Sequence, residues 1–224
     1  MIISHAHEFV FVKTVKTAGT SVEIALTPIC GPFDIITKLA DEDEAIRIER
    51  TGRTFQHMEV TTPEGQELKF RNHSPVRRAR KYLGAAYDSY FSFAFERNPF
   101  DRVVSAYHHT LRSRKSRGVD VTEWTFPNFV EAKDCQRLER LRSTGFGLYS
   151  VKDKVAVSHI YKFEDLGGAI RDIFERLDQP APSDLPMTKI SDRDRDYRSY
   201  YSPHLRKLIE THFARELEMF GYEF

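Results

Sequence analysis

Blocks of apolar and polar residues along the chain predict strands joined to helices. Phe9-Val10-Phe11-Val12 is a short run of β-branched and aromatic residues, and Phe91–Phe95 is a second. Such runs are typical of buried strands, and a third strand is predicted over Val155–Tyr161. Small and polar residues from Thr14 to Thr20 separate the first run from a helical pattern that begins at Ser21. Strand, tight turn and helix in this order are typical of α/β nucleotide-binding domains.

The rest of the chain predicts further helices and few irregular segments. Ser74 and Pro75 have the residue types of an N-cap and a first helical position, so they predict a helix to about Leu83. The acidic stretch 34–50 predicts a helical, solvated surface element, and 178–196 a loop. The remaining helices are predicted over about Asp101–Arg114, Phe126–Leu141, Leu166–Leu177 and Pro203–Phe220. No repeat, low-complexity tract or linker is evident, so a single domain over residues 1–224 is predicted.

Composition narrows the function classes. The 224 residues include 34 Lys and Arg against 33 Asp and Glu, so the formal net charge of +1 disfavours a globally basic nucleic-acid binder. No segment approaches the roughly 18 consecutive apolar residues of a membrane-spanning helix, and no secretion signal is recognised, so no membrane insertion is predicted. Two cysteines cannot build a disulfide-dense scaffold. A soluble, cytoplasmic protein is the prediction.

The turn after the first strand has the composition of an anion cradle. It reads Lys16-Thr17-Ala18-Gly19-Thr20-Ser21. Gly19 permits close approach of a ligand to the backbone, and N–H groups at a helix start favour an anion. Lys16 adds a positive charge and the hydroxyls add donors. The chain has no Gly-Lys-Ser/Thr, so this is not a Walker A loop. Alone, a polar turn with a surface lysine explains it equally well.

A second candidate follows the second strand. Arg97 comes at the carboxyl end of that strand, where open α/β sheets bind ligands, and Ser105 lies on the next predicted helix. A guanidinium and a hydroxyl suit a phosphate monoester. The alternative is a structural arginine paired with Asp101 or Glu96.

Together the two segments resemble the sulfotransferase superfamily, near the bacterial members of its family-2, carbohydrate-type group. Residues 11–21 are similar to that family's 5′-phosphosulfate loop, and residues 95–105 to its 3′-phosphate motif. The resemblance spans nearly the whole chain and implies a P-loop-like, three-layer α/β fold with a central, mostly parallel sheet flanked by helices. It implies 3′-phosphoadenosine 5′-phosphosulfate (PAPS) as donor and 3′-phosphoadenosine 5′-phosphate (PAP) as product. A hydroxyl on a carbohydrate, lipid or small metabolite would be the acceptor.

The resemblance also assigns residues to the donor. One departure is Ala18, where many relatives have Gly. Arg97 and Ser105 would bind the 3′-phosphate. The residues that would bind the 5′-phosphosulfate are Lys16, Thr17, Ala18, Gly19, Thr20 and Ser21.

Lys16 and His73 are the predicted catalytic residues. Charge develops on the oxygen that bridges phosphorus and sulfur, and Lys16 would stabilise it. His73 lies between the two phosphate motifs and just before a helix start, as the catalytic histidine does in related sulfotransferases, so it is the predicted base. The alternatives are a histidine that only packs at the helix entry, and Glu96 as the base. No metal site is predicted, since His5-Ala6-His7 and His108-His109 are the nearest to a ligand pattern.

Two other function classes remain open: a nucleotide-dependent phosphoryl transferase and a non-catalytic nucleotide or polyanion binder.

Basic residues gather at 69–81 and 97–117. Arg77, Arg78 and Arg80 are candidate acceptor contacts, and Lys189 and Arg193 are candidate 3′-phosphate contacts. Trp124 fits core packing and an acceptor pocket equally well. Neither the acceptor nor the oligomeric state follows from these patterns.

Overall fold

The computed structural model describes residues 1–132, 135–185, 194 and 196–224. These residues form two compact units. The first unit comprises Met1–Glu96 and the described part of residues 145–188. The second unit comprises Arg97–Thr144 and the described part of residues 189–224. The single domain predicted from the sequence stays a prediction.

Short strands and helices alternate through the described chain. The helices are α1 (Gly19–Leu26), α2 (Asp41–Thr51), α3 (Val76–Leu83), α4 (Pro99–Lys115), α5 (Phe126–Glu131), α6 (Gln136–Ser143), α7 (Phe146–Tyr149), α8 (Leu166–Arg176), α9 (Pro203–His212) and α10 (Ala214–Phe220). The strands are β1 (Ile2–Ser4), β2 (Phe9–Val12), β3 (Ile35–Ile36), β4 (Glu59–Thr61), β5 (Glu67–Lys69), β6 (Phe91–Glu96), β7 (Ser150–Val151), β8 (Lys154–Val155) and β9 (His159–Lys162).

The first unit is built on a five-stranded sheet in the order β3-β1-β2-β6-β9. β2, β6 and β9 are parallel, with Val12 opposite Ala94 and Ala94 opposite Ile160. β1 is antiparallel to both of its neighbours. Within this sheet, therefore, every strand except β1 runs in the same direction. The carboxyl ends of β2 and β6 lie at one edge, which is where open α/β sheets bind their ligands.

Alternate residues of the strands point to opposite faces of the sheet. Phe9, Phe11, Phe93 and Phe95 pack with α1 and α8 on one face. On the other face, Val10, Val12 and Ala94 pack with α3 and α7. This observation confirms the predicted α/β fold with a central, mostly parallel sheet flanked by helices.

The second unit is helical, and its core is separate. Its buried residues include Phe100, Val103 and Val104 of α4, Phe126 of α5 and Ile209 of α9. Three of its helices, α4, α5 and α9, begin with a side-chain cap. The Asn98 side chain accepts from the N–H of Phe100, and Pro99 is the first residue of α4.

Several predictions about local structure were wrong. Residues 155–161 are split between β8 and β9, and residues 203–220 between α9 and α10. The stretch 126–141, predicted to be mostly helical, contains α5 and most of α6. Ser74 is not the N-cap of α3. Its hydroxyl accepts from the N–H of Arg71 at 2.8 Å, while Pro75 precedes the helix without a side-chain cap.

The acidic stretch 34–50 is only partly the solvated element predicted. Asp34 and Glu44 are buried. Asp34 accepts from the Ser4 hydroxyl at 2.6 Å and from the N–H of His5 at 2.7 Å. Glu44 accepts from the N–H of Leu39 at 2.9 Å. Hydrogen bonds from these donors offset the cost of burying the carboxylates.

Candidate functional site

The turn between β2 and α1 crosses the carboxyl edge of the sheet. The Thr14 hydroxyl donates to the Phe95 carbonyl at 2.6 Å, which attaches the turn to the end of β6. The Thr17 hydroxyl lies 2.7 Å from that of Thr14. Because Thr14 has already given its only proton, Thr17 is the donor of this pair. Thr17 is buried, so its hydroxyl braces the turn internally.

Two residues of the turn have left-handed backbone conformations. φ is +68° at Lys16 and +57° at Ala18. Such values cost free energy for residues with a side chain, and they concentrate at functional sites. They reverse the chain so that α1 begins directly at the sheet edge.

The N-terminus of α1 is open to an anion. Ala18 precedes the helix, no side chain caps this end, and the first turn of α1 contains no acidic residue. The first N–H groups of a helix have no partner within the helix, and the helix dipole is positive at this end. Thr20 is partly exposed here and Ser21 is buried. The anion cradle predicted over residues 16–21 stays a prediction, and it lies at this uncapped helix start.

Gly19 is required by a close contact. A Cβ at this position would lie 2.5 Å from Cγ of Lys13. Lys13 is almost fully buried, and its ammonium binds Glu23 of α1 at 2.8 Å. The Lys13 side chain therefore runs directly beneath the cradle and occupies the space that any larger residue at position 19 needs.

Glu23 is the centre of a buried ion cluster. It is fully buried. Its carboxylate contacts the Lys13 ammonium, the amino group of Met1 and, at 4.0 Å, the Arg47 guanidinium. Burial would raise the pKa of this carboxyl, but the nearby Lys13 and Met1 charges outweigh burial and lower the pKa to about 2. The cluster holds α1 against the turn that forms the cradle.

His73 contacts the same turn from the other side. Its Nδ1 lies 3.0 Å from the Lys13 carbonyl oxygen. A carbonyl only accepts, so Nδ1 carries the proton and the lone pair of a neutral ring is on Nε2. His73 is an exposed residue, but the atoms around its inner edge desolvate the ring and lower its pKa to about 4. The hydrogen bond to Lys13 opposes this shift, and the Lys13 ammonium adds to it.

Glu96, the other predicted base, is fully buried at the end of β6. Its carboxylate accepts from the Tyr149 hydroxyl at 2.8 Å. A carboxylate enclosed in this way cannot reach an acceptor in solvent. The geometry therefore favours His73 over Glu96 as a base.

Arg97 and Ser105 lie in the second unit. The Arg97 Nε donates to Asp101 at 2.8 Å, and its Nη2 binds the same carboxylate. The pairing with Asp101 that the sequence left open is therefore present. Asp101 and Ser105 are four residues apart on α4, so they share a face of the helix. Asp101 thus directs the guanidinium toward the face that carries Ser105, and it engages two of the five N–H donors.

Some predicted contacts cannot be placed, and some important residues were missed. Lys189 and Arg193 lie outside the described residues. Sequence reasoning assigned no role to Lys13 or Glu23, although a glutamate inside the apolar pattern of α1 is a signal of a buried ion pair. Within the described ranges, no helix has the length and apolar character to cross a membrane. No cluster of three or more His, Cys, Asp or Glu residues suited to a metal occurs in those ranges either.

A family model and a solved structure are similar to this chain. The sequence matches the family model described as "Sulfotransferase family" over residues 1–223. Among solved structures, it is similar to a sulfotransferase from Alicyclobacillus acidocaldarius, with 18% identity and a TM-score of 0.36, over 97% of this chain and 96% of that one. No curated protein matches the sequence. Because the family model covers almost every residue, the chain belongs to the sulfotransferase family, whose members are enzymes that transfer sulfate.

Proposed function

We propose that the protein transfers a sulfuryl group from PAPS to a hydroxyl acceptor by in-line displacement. The observation that carries this proposal is the cradle at residues 16–21, which opens at an uncapped helix N-terminus without acidic residues. The acceptor is a hydroxyl on a carbohydrate, lipid or small metabolite. We place the reaction in the cytoplasm, since neither Cys30 nor Cys135 forms a disulfide.

The 5′-phosphosulfate binds the cradle. Lys16 and the first N–H groups of α1 are its donors, together with the Thr20 and Ser21 hydroxyls. Thr17 and Ala18 contribute through the backbone, because the Thr17 hydroxyl is engaged inside the turn and alanine has no polar side chain. Gly19 keeps the backbone close to the ligand. Arg97 and Ser105 bind the 3′-phosphate of the same nucleotide.

Lys16 and His73 carry the chemistry. As the bond between sulfur and the bridging oxygen breaks, negative charge develops on that oxygen, and the Lys16 ammonium stabilises it more in the transition state than in the ground state. Nε2 of His73 takes the proton of the acceptor hydroxyl, because Nδ1 is committed to the Lys13 carbonyl. The products are the sulfated acceptor and PAP. Lysine and backbone donors supply the required positive charge, so we propose no metal.

Two measurements test the donor and the reaction. PAP should raise the unfolding temperature, whereas ATP with magnesium should not, because a ligand that binds only the folded state stabilises it. Transfer of ³⁵S from labelled PAPS to a panel of hydroxyl compounds should then identify the acceptor. Lys16→Ala and His73→Ala should each abolish transfer, whereas Lys154→Gln, at an exposed position, is the control and should transfer as the wild type does. Stabilisation by ATP with magnesium alone would instead favour a phosphoryl transferase, and PAP binding without transfer a non-catalytic binder.

A further inference from the structure

The second unit contains two arginines that stack on one indole ring. The guanidinium carbon of Arg114 lies 3.8 Å from the centre of the Trp124 ring, and that of Arg137 lies 4.4 Å from it. The two charges are therefore closer than a Debye length, which is about 10 Å at 0.1 M salt, so solvent ions do not fully screen their repulsion.

No carboxylate within the described residues neutralises these charges. Neither Arg114 nor Arg137 has an ion pair there, and the polar contact of the Arg137 side chain is to the Phe129 carbonyl at 3.4 Å. Burial lowers the pKa of Arg137, and the Arg114 charge lowers it further. Among the described residues, therefore, the two cations have no carboxylate partner beside the partly buried ring.

Helix dipoles explain only one of the two cations. Arg114 is in the last turn of α4, where the dipole favours a positive charge. Arg137 is in the first turn of α6, where the dipole disfavours a cation and favours an anion. A purely structural account leaves Arg137 at an unfavourable position.

The ring itself is held in place and keeps an unused donor. Tyr107 donates to the Trp124 carbonyl at 2.9 Å, and the Trp124 ring packs edge-on against Phe129. The Trp124 Nε1–H is buried, and no described residue accepts from it. A buried donor left without an acceptor is destabilising.

We infer that Arg114, Trp124 and Arg137 form a binding site for a doubly charged tetrahedral oxyanion, the chemistry of inorganic phosphate, sulfate or a phosphate monoester. Such an ion balances the two charges. Each guanidinium presents paired N–H donors that match two oxygens of a tetrahedral group. The indole fixes the spacing of the two guanidiniums through cation–π contact. This site is separate from the donor residues and does not depend on the proposed reaction.

Trp124 is the only tryptophan of the chain, so its fluorescence reports on this site. The protein, saturated with PAP to fill the donor residues, is titrated with inorganic phosphate at constant ionic strength set with NaCl. The expected result is a saturable change in emission. The change should persist in Arg97→Gln, whether or not PAP binds, which separates this inference from the proposed function.

Variants and a second readout complete the test. Equilibrium dialysis of ³²P-phosphate should show at least tenfold weaker binding for Arg114→Gln and Arg137→Gln. Arg112→Gln, an exposed cation of the same helix, should bind as the wild type does. Arg137→Lys keeps the positive charge but loses the paired N–H donors of the guanidinium, so its phosphate affinity should lie between those of the wild type and Arg137→Gln. This variant keeps the test valid if Arg137→Gln fails to fold.

The source of the ion is tested in the same experiment. Tighter binding of glucose 6-phosphate than of inorganic phosphate would support a phosphorylated larger ligand, and equal binding would support the free ion. A linear, non-saturating fluorescence response, or equal phosphate binding by the wild type and both glutamine variants, would overturn the inference.

Discussion

Glu23 should be one of the most costly residues to replace, since Lys13, Arg47 and the amino group of Met1 converge on its buried carboxylate. In Glu23→Gln, the Lys13 ammonium, which is only 3% exposed, loses its partner at 2.8 Å. Arg47 is fully buried and loses a carboxylate at 4.0 Å. Breaking a buried ion pair from one side costs about 3–5 kcal/mol, because a charge is left without compensation. The free energy of unfolding should therefore fall by about 4 kcal/mol.

Replacing Lys13 should lower the free energy of unfolding less than replacing Glu23 does. In Lys13→Met, the Glu23 carboxylate keeps its contacts with Arg47 and with the amino group of Met1. A loss of about 1–3 kcal/mol is expected, within the range of ordinary core substitutions. The double variant Lys13→Met/Glu23→Leu should lose less than the sum of the two single variants, because it removes both members of one pair.

Urea unfolding followed by circular dichroism measures these free energies. Glu64→Gln, at an exposed loop position, is the matched control and should be neutral. The Glu23 pKa is about 2 in the folded protein against 4.5 in an unperturbed carboxyl. The contribution of this carboxylate is therefore complete above about pH 4.5 and is lost as the pH falls toward 2. A Glu23→Gln loss below about 1 kcal/mol, or one no larger than that of Lys13→Met, would refute the reasoning.

Three further predictions follow from the same turn. Gly19→Ala should weaken PAP binding and lower the free energy of unfolding, because the added Cβ would lie 2.5 Å from the Lys13 side chain, which Glu23 holds in place. Gly167→Ala is the control in calorimetry and urea unfolding, because its Cβ would make only an ordinary contact at 3.8 Å. Ala18→Gly should raise the free energy of unfolding by up to about 1 kcal/mol, since it removes a side chain from a left-handed position; a loss would contradict this. An NMR titration of the His73 ring should give a midpoint near pH 4, with Nδ1 protonated in the neutral form; a midpoint at or above 6.5 would show that the ring is not desolvated.

The elements that the sequence predicted well have strong local signals. Phe9–Val12 is apolar at every position because both faces of β2 are buried, and a continuous apolar run is the pattern of such a strand. The cradle could be located because its small and polar residues lie between that strand and a helix. The helix predicted from about Asp101 is present, but it begins two residues earlier, at Pro99, with Asn98 as its cap.

The parts that sequence reasoning missed depend on distant contacts. β1 has only three residues, and its partners are Phe9–Phe11 and the short β3. Asp34 has the composition of a surface residue but is buried because Ser4, His5 and Gly31 donate to it. Ser74 has the right residue type for a cap, but the turn at Arg71 uses its hydroxyl. In each case the outcome depends on a partner that the local pattern does not specify.

Sequence reasoning named candidate residues for the site but not the residues that support them. Lys16 and His73 could be chosen from residue type, placement and family resemblance. The residue that links His73 to the turn was not chosen, because Lys13 acts through three separate groups. Its carbonyl accepts from His73, its methylene groups pack at Gly19, and its ammonium binds Glu23. Only the three-dimensional structure shows that one lysine carries all three contacts.

Calorimetric titration with PAP, compared with adenosine 5′-phosphate, tests the central claim most directly. The two nucleotides differ in the 3′-phosphate assigned to Arg97 and Ser105. PAP should bind at a single site at least tenfold more tightly than adenosine 5′-phosphate, and Arg97→Gln should remove most of that difference, since a charge-assisted hydrogen bond is worth about 1.5–3 kcal/mol. Absence of PAP binding, or equal affinity for the two nucleotides, would contradict the account.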